Sequence, residues 1–565
     1  MEETGEKSLT EKREELMASS TTKRKQMAHF LNPTHTSIKP SFPKNPKLLS
    51  SSLPSTSDSK TKPVKVTLRG WRNISTEWGS WVQHLEDSYH SVWKRAGIYE
   101  AIISSTFKFQ RDNDVIIGLA EKWCLDINTF IFPWAEATIT LEDIMVLGGY
   151  SVFGSPVFGT QESKELEEIE EKLKAAKTEF CNRKAWIAMF MCSGSDIEHE
   201  AFLSLWLERF VFNDSSTKLQ DQIFSIAIHL AKGEVFALAP AVLASIYRDL
   251  GLLKTTILAA TEFKENENSA HKLALTLCSP LHLVQLWAWE RFPAFQPHPN
   301  VINNDDPRSA LWKNVKNVRK SKCVRSDFDS AGEDFVWQPY LHGLHLHKLH
   351  KEKGQWKRFG LDLLAYALCL RVSELVGLDC VQQYLPHRVA RQFGLDQDIP
   401  SDIARTEVLP DLAWSNYIRP FNDTKVYVPS HFSKPDVTIR YSDWWNRMGI
   451  DSEDRIKDTI FNPVRRKRSS ISRSKRVPQA SIGQAVESII QADVAIEPVE
   501  VITQADDAIG IPLNELKEEP ETETRIVSNI DEYSSGEVPG LALEARIGVL
   551  EEMVAKLKAA RGYKN

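Results

Sequence analysis

The stretch from residue 129 to residue 150 constrains the fold more than any other part of the chain. Its apolar run breaks at Pro133, which lacks a backbone donor and has a fixed φ, so a first strand must end there. Thr140 is followed three residues later by Asp143, a spacing that caps a helix and favours its start electrostatically. Gly148–Gly149 then ends the helix, because glycine adopts the left-handed conformation at little cost. The stretch therefore predicts two short strands, a turn and a capped helix.

The rest of the central region has mainly helical periodicity. Trp81, Leu85 and Val92 recur at helical spacing. The highly charged segment 162–177 is typical of an exposed helix. Strand candidates are few, namely residues 130–132, 138–139, 425–428 and 437–441. We expect a mainly α protein with small β-hairpins, an α+β fold around a large helical core.

Composition divides the chain into four parts. Residues 1–63 are rich in Ser, Thr, Lys and Pro and predict a disordered N-terminal tail, because they cannot bury enough apolar surface to offset the entropy of ordering. Residues 64–459 are apolar and aromatic and predict the globular core. Residues 460–537 predict a disordered linker that is first basic and then acidic, and residues 538–560 predict a short coiled-coil helix.

Bulk composition excludes several classes of protein. The 70 basic and 76 acidic residues give a net charge of −6, which argues against a whole-chain electrostatic grip on nucleic acid. Seven cysteines without a Cys-x-x-Cys pair indicate reduced thiols rather than a disulfide framework or a zinc ribbon. The acidic start predicts no signal peptide. Charged residues interrupt the longest apolar run, residues 223–246, which predicts buried helices rather than a membrane span.

Three ordered segments of the core resemble a known family. They are residues 137–157, which end in Ser155-Pro156-Val157, residues 335–340, which contain a W..PY-type element, and residues 384–400. Their order and rough spacing resemble the plant mobile domain, a module shared by transposable elements and host genes derived from them. The resemblance implies a non-catalytic nuclear scaffold in transcriptional silencing, genome stability and meristem maintenance, or a protein carried by a transposable element. It implies chromatin-associated protein partners.

Family members also carry the labels aminotransferase-like and phosphatase long form. Transamination needs a lysine set against a phosphate-binding site, and a metallophosphatase needs clustered metal-ligand motifs. The sequence contains no such motif and no phosphate-binding glycine loop. We therefore predict no catalytic, cofactor-binding or metal-binding residues.

Two segments nevertheless bear on chemistry. Residues 370–378 resemble the first-arginine segment of tyrosine recombinases, where Arg371 would bind the scissile phosphate with His387 and Arg391 nearby. An amphipathic helix is the alternative for this segment, and an open basic cleft holding all three side chains would favour an enzyme acting on nucleic acid. Separately, a run of four histidines could bind zinc or copper, or could form a polar loop. They are His342, His345, His347 and His350.

Five basic residues of the core are candidate nucleic-acid contacts. They are Lys313, Lys316, Lys320, Arg388 and Arg391. The three lysines fall on one face of a predicted helix, which could neutralise phosphates or could simply be solvated. The two arginines could contact phosphates or bases. Arg391 could equally form an ion pair with Asp396 or Asp398 inside the fold.

Two basic clusters predict nuclear import. They consist of Arg465, Arg466, Lys467, Arg468, Arg473, Lys475 and Arg476. Short basic clusters in a polar segment suit the groove of an import receptor, and so we expect a nuclear protein. A non-specific nucleic-acid tether and a solubilising tail are the alternatives. Phosphorylation of the serines between the clusters would cancel charge and weaken import.

The last part of the chain carries a coiled-coil seam. Leu543, Ile547, Leu550, Val554 and Leu557 follow steps of four, three, four and three. Only about two heptads are present, so an isolated pair of helices would be marginal. We expect a weak homodimer or a zipper with a different partner. A helix docked on the core is the alternative.

Overall fold

The computed structural model describes most of the core and part of the region before it. The described residues are 9–20, 24–32, 64–71, 74–159, 164–179, 182–213, 219–266, 273–303, 305–316, 323–342, 353–358, 361–401, 409–421 and 425–447. All of them belong to one unit, Met1–Arg466.

The described part is mainly helical, as the sequence predicts. Its α-helices are α1 (Thr76–Arg95), α2 (Tyr99–Ser104), α3 (Asn113–Lys122), α4 (Leu141–Gly148), α5 (Lys164–Glu179), α6 (Arg183–Phe190), α7 (Glu198–Trp206), α8 (Asp221–Ala231), α9 (Leu238–Asn266), α10 (His282–Arg291), α11 (Val324–Ser330), α12 (Leu361–Leu370), α13 (Pro410–Tyr417) and α14 (residues 439–447). A π-helical turn, Leu207–Val211, continues α7. Short 3-10 helices cover Arg308–Trp312, Pro339–His342 and Pro386–Phe393.

The strands form small sheets of two or three strands. They are β1 (Thr10–Glu15), β2 (Gln26–Leu31), β3 (Val64–Leu68), β4 (Trp123–Cys124), β5 (Thr129–Ile131), β6 (Glu136–Ala137), β7 (Leu273–Leu277), β8 (Gln355–Arg358), β9 (Ser373–Val376), β10 (Val381–Tyr384) and β11 (Lys425–Val428). Antiparallel pairing joins β1 to β2, β4 to β5 to β6, β8 to β11 and β9 to β10, whereas β3 and β7 pair in parallel. The fold is therefore α+β.

The stretch 129–150 folds as its sequence predicts. Strand β5 stops before Pro133, and a turn closes where the Phe132 amide donates to the Ala135 carbonyl at 3.0 Å. Strand β6 follows, two residues earlier than the predicted strand at 138–139. Thr140 then caps α4, and Gly149 ends it with φ of 70°. The capped helix α4 contacts α9, α10 and α12, so it lies at the centre of the body.

Large aromatic side chains fill the core between the helices. The fully buried tryptophans are Trp78, Trp81, Trp93, Trp123, Trp186, Trp206, Trp287, Trp289 and Trp312. Among the described residues, five of these indole N–H groups have a hydrogen-bond acceptor, whereas those of Trp123, Trp206, Trp287 and Trp289 have none. Trp81 donates to Glu198 at 3.0 Å and Trp93 donates to His199 at 2.9 Å. Such donors bury a large apolar ring without leaving the N–H unpaired.

The prediction of disorder across residues 1–63 is wrong for residues 9–20 and 24–32. Strands β1 and β2 form a hairpin there, and Phe30 is buried. The Asp396 carboxylate accepts the backbone amide of His29 at 2.9 Å, and Arg13 forms an ion pair with Asp398. The hairpin owes its order to these contacts with a segment more than 350 residues away, which composition does not reveal.

Two further local predictions are wrong. Residues 370–378 do not form an amphipathic helix, because α12 ends at Leu370 and β9 begins at Ser373. Residues 437–441 do not form a strand, because only isolated bridges occur at Val437 and Thr438 before α14 starts. In both cases the apolar run is short, and short runs do not distinguish helix from strand.

Other helical predictions are confirmed. The charged segment at 162–177 corresponds to α5, which buries Leu173 on one side. The apolar run 223–246 contains α8 and the start of α9 with a break at Gly233, where φ is 83°. Among the helices that the structure describes, none combines the length and the apolar character needed to cross a bilayer.

Candidate functional site

The carboxylate of Asp143 is the centre of a buried hydrogen-bond network. Its Oδ2 accepts the Thr140 backbone amide and the Thr140 hydroxyl, both at 2.7 Å. The bond from the Thr140 amide, together with the Asp143 amide donating to the Thr140 hydroxyl at 3.4 Å, forms the capping box at the start of α4. Both side chains are fully buried.

The other oxygen of Asp143 binds the second family segment. Arg291, at the end of α10, donates to Oδ1 at 2.8 Å, and the Tyr340 hydroxyl donates to the same atom at 2.6 Å. Arg291 also donates to the Trp337 carbonyl at 2.5 Å. Burial raises the pKa of Tyr340 well above its ordinary value, and so its hydroxyl keeps the proton that it donates. One carboxylate thus joins the capped helix to the segment 335–340.

A second ion pair ties the third family segment to the first. Arg388 donates to both oxygens of Glu136, at 2.8 and 2.6 Å, and both side chains are only 2% exposed. Gln392 holds the Thr138 backbone on both sides, because its Oε1 accepts the Thr138 amide and its Nε2 donates to the Thr138 carbonyl, each at 2.8 Å. The prediction of Arg388 as a nucleic-acid contact is wrong for this fold, since its guanidinium is buried and paired with Glu136.

Arg391 joins the third segment to the second. Its Cζ lies 3.8 Å from the centroid of the Trp337 ring, a cation–π contact. Within the described residues, Arg391 pairs with neither Asp396 nor Asp398. Asp398 instead pairs with Arg13 and with Arg440. The stacking places Arg391 against the fold, and the side chain remains partly exposed.

Arg371 does not occupy a phosphate-binding position. Its side chain is 3% exposed, and its Nη1 donates to the carbonyls of Tyr417 at 2.9 Å and Arg419 at 2.6 Å. The guanidinium also lies 3.5 Å from the centroid of Phe421. Burial lowers the pKa of Arg371 to about 10. The guanidinium holds the segment after α13 and presents no free fork to a substrate.

His387 is likewise engaged inside the fold. Its Nε2 lies 3.1 Å from the Ser401 carbonyl, and burial lowers the pKa of His387 to about 3, so the ring is neutral at physiological pH. Arg371, His387 and Arg391 therefore contact three different segments. Among the described residues they do not present the open basic cleft that the recombinase hypothesis requires.

The lysine face predicted at 313–320 is not a helix in its first half. The 3-10 helix Arg308–Trp312 stops before Lys313, whose backbone is extended, and Asn314 has φ of 57°. Lys313 and Lys316 are both exposed. Lys320 lies outside the described residues.

Several predicted features fall outside the part of the chain that the structure describes. They are His345, His347 and His350, both basic import clusters and the coiled-coil seam. Within the described ranges, no group of three His, Cys, Asp or Glu side chains is placed to hold a metal ion.

Glu142 is a buried acid that the sequence did not single out. It is 7% exposed, and within the described residues no hydrogen bond reaches its carboxyl group. Burial, together with the neighbouring Asp143, raises the pKa of Glu142 to about 8. Burial also raises the pKa values of Tyr366 and Cys369 beside it. The cluster can hold protons, but it offers no ionised nucleophile at neutral pH.

The sequence also did not reveal that Glu136 pairs with Arg388 or that Arg291 pairs with Asp143. A signal was present for Arg291, because Glu290 and Arg291 end an apolar helix that contains two tryptophans. Charged residues in such a setting are seldom buried without partners. Glu290 does have them, since it accepts from Arg308 at 2.8 Å and from Trp312 at 2.9 Å.

The three segments therefore assemble into one body held together by the ion pairs of Asp143 with Arg291 and of Glu136 with Arg388, which we call the braced body. Comparisons with known proteins support the family resemblance of these segments. The chain belongs to the plant mobile domain family. The sequence model of that family matches residues 97–446, which are more than half of the chain. It is similar to Protein MAIN-LIKE 2 of Arabidopsis thaliana, with 27% identity over 317 residues that cover 52% of this chain and 43% of that relative.

Two further relatives come from the same plant. Protein MAINTENANCE OF MERISTEMS is 25% identical over 313 residues, which cover 52% of this chain and 59% of the relative. The Serine/threonine-protein phosphatase 7 long form homolog is 25% identical over 324 residues, which cover 52% of this chain but 22% of the relative. The chain thus spans less than two thirds of the length of each of these relatives. No solved structure matches it.

Proposed function

We propose that this protein is a non-catalytic nuclear scaffold of the plant mobile domain type, acting in silencing, genome stability and meristem maintenance with chromatin-associated protein partners. A copy carried by a transposable element would act through the same surfaces. The support is that charged side chains in the family segments and next to them are paired inside the fold. Asp143, Glu136, Arg291 and Arg388 are all committed to internal ion pairs, so these segments build a rigid body. The similarity to Protein MAINTENANCE OF MERISTEMS gives the biological context.

The phosphatase label of one relative does not enter this proposal. The match covers 22% of that relative, so most of the labelled protein has no counterpart in the match. The proposal rests on the family match over residues 97–446, which contains the buried ion pairs of Glu136 with Arg388 and of Asp143 with Arg291.

Localisation tests the proposal directly. The full chain with a fluorescent tag is expected in the nucleus, and replacing Arg473, Lys475 and Arg476 by Ala should shift it to the cytoplasm, because one of the two basic clusters is lost. The matched control replaces three exposed lysines of α5, Lys164, Lys172 and Lys174, by Ala. It removes the same charge and should leave the nuclear signal unchanged. A wild-type chain that stays in the cytoplasm refutes the nuclear assignment.

The serines between the clusters give a second, graded test. Ser470→Asp with Ser472→Asp should lower the nuclear-to-cytoplasmic ratio, because negative charge opposes the basic clusters. Ser470→Ala with Ser472→Ala is the control and should keep the wild-type ratio. Equal ratios for the two double variants would remove phosphorylation from the proposal.

A further inference from the structure

Arg391 carries a guanidinium group that the fold covers but does not satisfy. Its Nε is fully enclosed, yet no nitrogen of the group donates a hydrogen bond in the part of the chain that the structure describes. The group lies on Trp337 instead, with Cζ 3.8 Å from the ring centroid. By contrast, the buried Arg291, Arg371 and Arg388 each donate to a carboxylate or to main-chain carbonyls. Unpaired strong donors are costly in a folded protein, so Arg391 is a candidate to receive an acceptor from a binding partner.

The electrostatics around Arg391 agree with this reading of the contacts. Burial lowers the pKa of Arg391, and it outweighs the opposing effects of nearby groups, Asp436 and Asp396 among them. Burial also acts to lower the pKa values of Arg291 and Arg388, but the acid that pairs with each of them raises the pKa above its ordinary value. The charge of Arg391 is therefore under-compensated inside the fold, and one further carboxylate would stabilise it.

The main chain beneath this surface is held in place before any partner arrives. Arg291 donates to the Trp337 carbonyl at 2.5 Å, and the Arg291 carbonyl accepts the Val336 amide at 2.9 Å. The residue next to Arg391, Gln392, is fixed by its two side-chain bonds of 2.8 Å to the main chain of the first family segment. A surface that is ordered in advance loses little conformational entropy on binding.

Aromatic and apolar side chains surround the guanidinium. Trp337 is half-buried and meets the half-buried Trp134 edge-on, with centroids 6.1 Å apart. Val336 is 38% exposed. The indole N–H of Trp337 and the side-chain amide of Gln338 have no hydrogen-bond partner within the described ranges. Tryptophan and arginine are the residues on which protein–protein interfaces depend most. The Trp337–Arg391 surface consists of Trp134, Val336, Trp337, Gln338 and Arg391.

We propose that the Trp337–Arg391 surface binds an acidic side chain of a protein partner, whose carboxylate pairs with Arg391 and whose apolar neighbours pack on the tryptophan rings. A carboxylate matches the planar fork of arginine through two parallel hydrogen bonds. A single carboxylate fits better than a nucleic-acid backbone, because Asp396 and Asp436 near Arg391 would repel successive phosphates. The inference rests on the proposed scaffold function, for which it names one contact surface and the chemistry of its partner.

Binding of defined peptides to the full chain tests the proposal. Short peptides with a central Asp or Glu between Leu, Val or Phe residues are compared with three probes, namely the same peptides with Asn or Gln in place of the acid, the same peptides with phosphoserine there, and single-stranded oligonucleotides. The acidic peptides should bind most tightly, about tenfold more tightly than their amide counterparts. Absence of binding by the acidic peptides, equal binding of the amide peptides, or tighter binding of the phosphoserine peptides or oligonucleotides overturns the proposal.

Arginine-specific modification locates the binding on the chain. Phenylglyoxal reacts with accessible guanidinium groups, and mass spectrometry of the digested chain should find Arg391 modified and Arg388 unmodified, because Arg388 is buried and paired. A saturating acidic peptide should protect Arg391. An unreactive Arg391 in the free chain, or a bound peptide that leaves Arg391 fully reactive, overturns the assignment.

Matched variants complete the test. Arg391→Met keeps a stem that packs on Trp337 and should weaken binding about 30-fold, whereas Arg391→Lys keeps the charge without the fork and should weaken it about tenfold. Lys316→Met removes an exposed charge elsewhere and should leave the affinity unchanged. Val336→Asp should weaken binding by repelling the acid, and Val336→Thr, which has the same shape without charge, should not. Wild-type affinity of Arg391→Met, or equal losses in the two Val336 variants, overturns the proposal.

The outcomes also separate this inference from the proposed function. A chain that is nuclear but does not bind the acidic peptides overturns the inference and leaves the nuclear assignment standing. A chain that binds them through Arg391 but stays in the cytoplasm supports the surface and refutes the nuclear assignment alone.

Discussion

Removing the cation of the buried Glu136–Arg388 pair should destabilise the whole body. Arg388→Met keeps most of the side-chain volume but leaves the Glu136 carboxylate, 3% exposed, without its guanidinium. After the substitution, the Thr129 hydroxyl would still donate a hydrogen bond of 3.2 Å to the Glu136 carboxylate. Breaking one side of a buried pair costs about 3 to 5 kcal/mol, since the remaining charge is buried and unpaired.

The expected shift is large enough to measure by urea denaturation. With a slope of about 3 kcal/mol per molar urea, the loss corresponds to a fall in the midpoint of about 1 to 1.7 M. Tryptophan fluorescence reports the transition, because the buried tryptophans lie throughout the core. Far-ultraviolet circular dichroism should give the same midpoint if one body unfolds as a unit.

A double-mutant cycle separates pairing from simple loss of packing. Glu136→Met with Arg388→Met replaces both charges by apolar groups, and it should be less destabilised than Arg388→Met alone. The exposed pair of Lys172 and Asp196 is the matched control, and Lys172→Met should leave the midpoint unchanged. The reasoning is refuted if Arg388→Met unfolds at the wild-type midpoint. It is also refuted if the losses of stability in Arg388→Met and in Glu136→Met, each measured alone, simply add in the double variant.

Three further predictions use the same measurements or hydrodynamics. Gly149→Ala should lower the free energy of unfolding by about 2 to 4 kcal/mol, because φ is 70° and the new Cβ would lie 2.6 Å from the Ala101 nitrogen. The control Gly159→Ala, with φ of 63° and no atom within 4 Å of the new Cβ, should lower it by about 1 kcal/mol. Because the pKa of Glu142 is raised to about 8, its contribution to stability is present below about pH 4.5 and is lost as the pH rises through about 8. Glu142→Gln should therefore gain in urea midpoint over the wild type between about pH 5 and pH 9, and a constant difference would contradict this. Leu550→Asp should lower the mass of the full chain measured by sedimentation, and an unchanged mass contradicts a homodimer through the seam.

Local structure was predictable wherever a few neighbouring residues determine it. The capping box of Thr140 and Asp143, and the end of α4 at Gly149, depend on spacing within one helix. Strand β11 was also predicted, but its partner β8 lies 67 or more residues earlier in the chain. Pairing at that distance depends on tertiary packing, which a local pattern does not contain.

Long-range contacts account for the errors at the candidate site. Arg388 and Glu136 are 252 residues apart, so the sequence shows a basic residue near a glutamine but not the acid that neutralises it. The sequence of residues 370–378 favours a helix or a recombinase-like motif, yet Arg371 donates to carbonyls 46 and 48 residues later. In each case a charged side chain that looked available from its neighbours is used inside the fold.

The internal use of charge has a consequence for where partners bind. Two buried ion pairs, Asp143 with Arg291 and Glu136 with Arg388, lie inside the body. Removing any one of these side chains leaves the charge of its buried partner without a counter-charge. Substitutions in the family segments should therefore reduce folding and every downstream function together. Substitutions in the basic clusters, which lie outside the described residues, should instead change nuclear localisation without changing the stability of the body. A variant of those clusters that is lost from the nucleus but keeps the wild-type urea midpoint would establish that division.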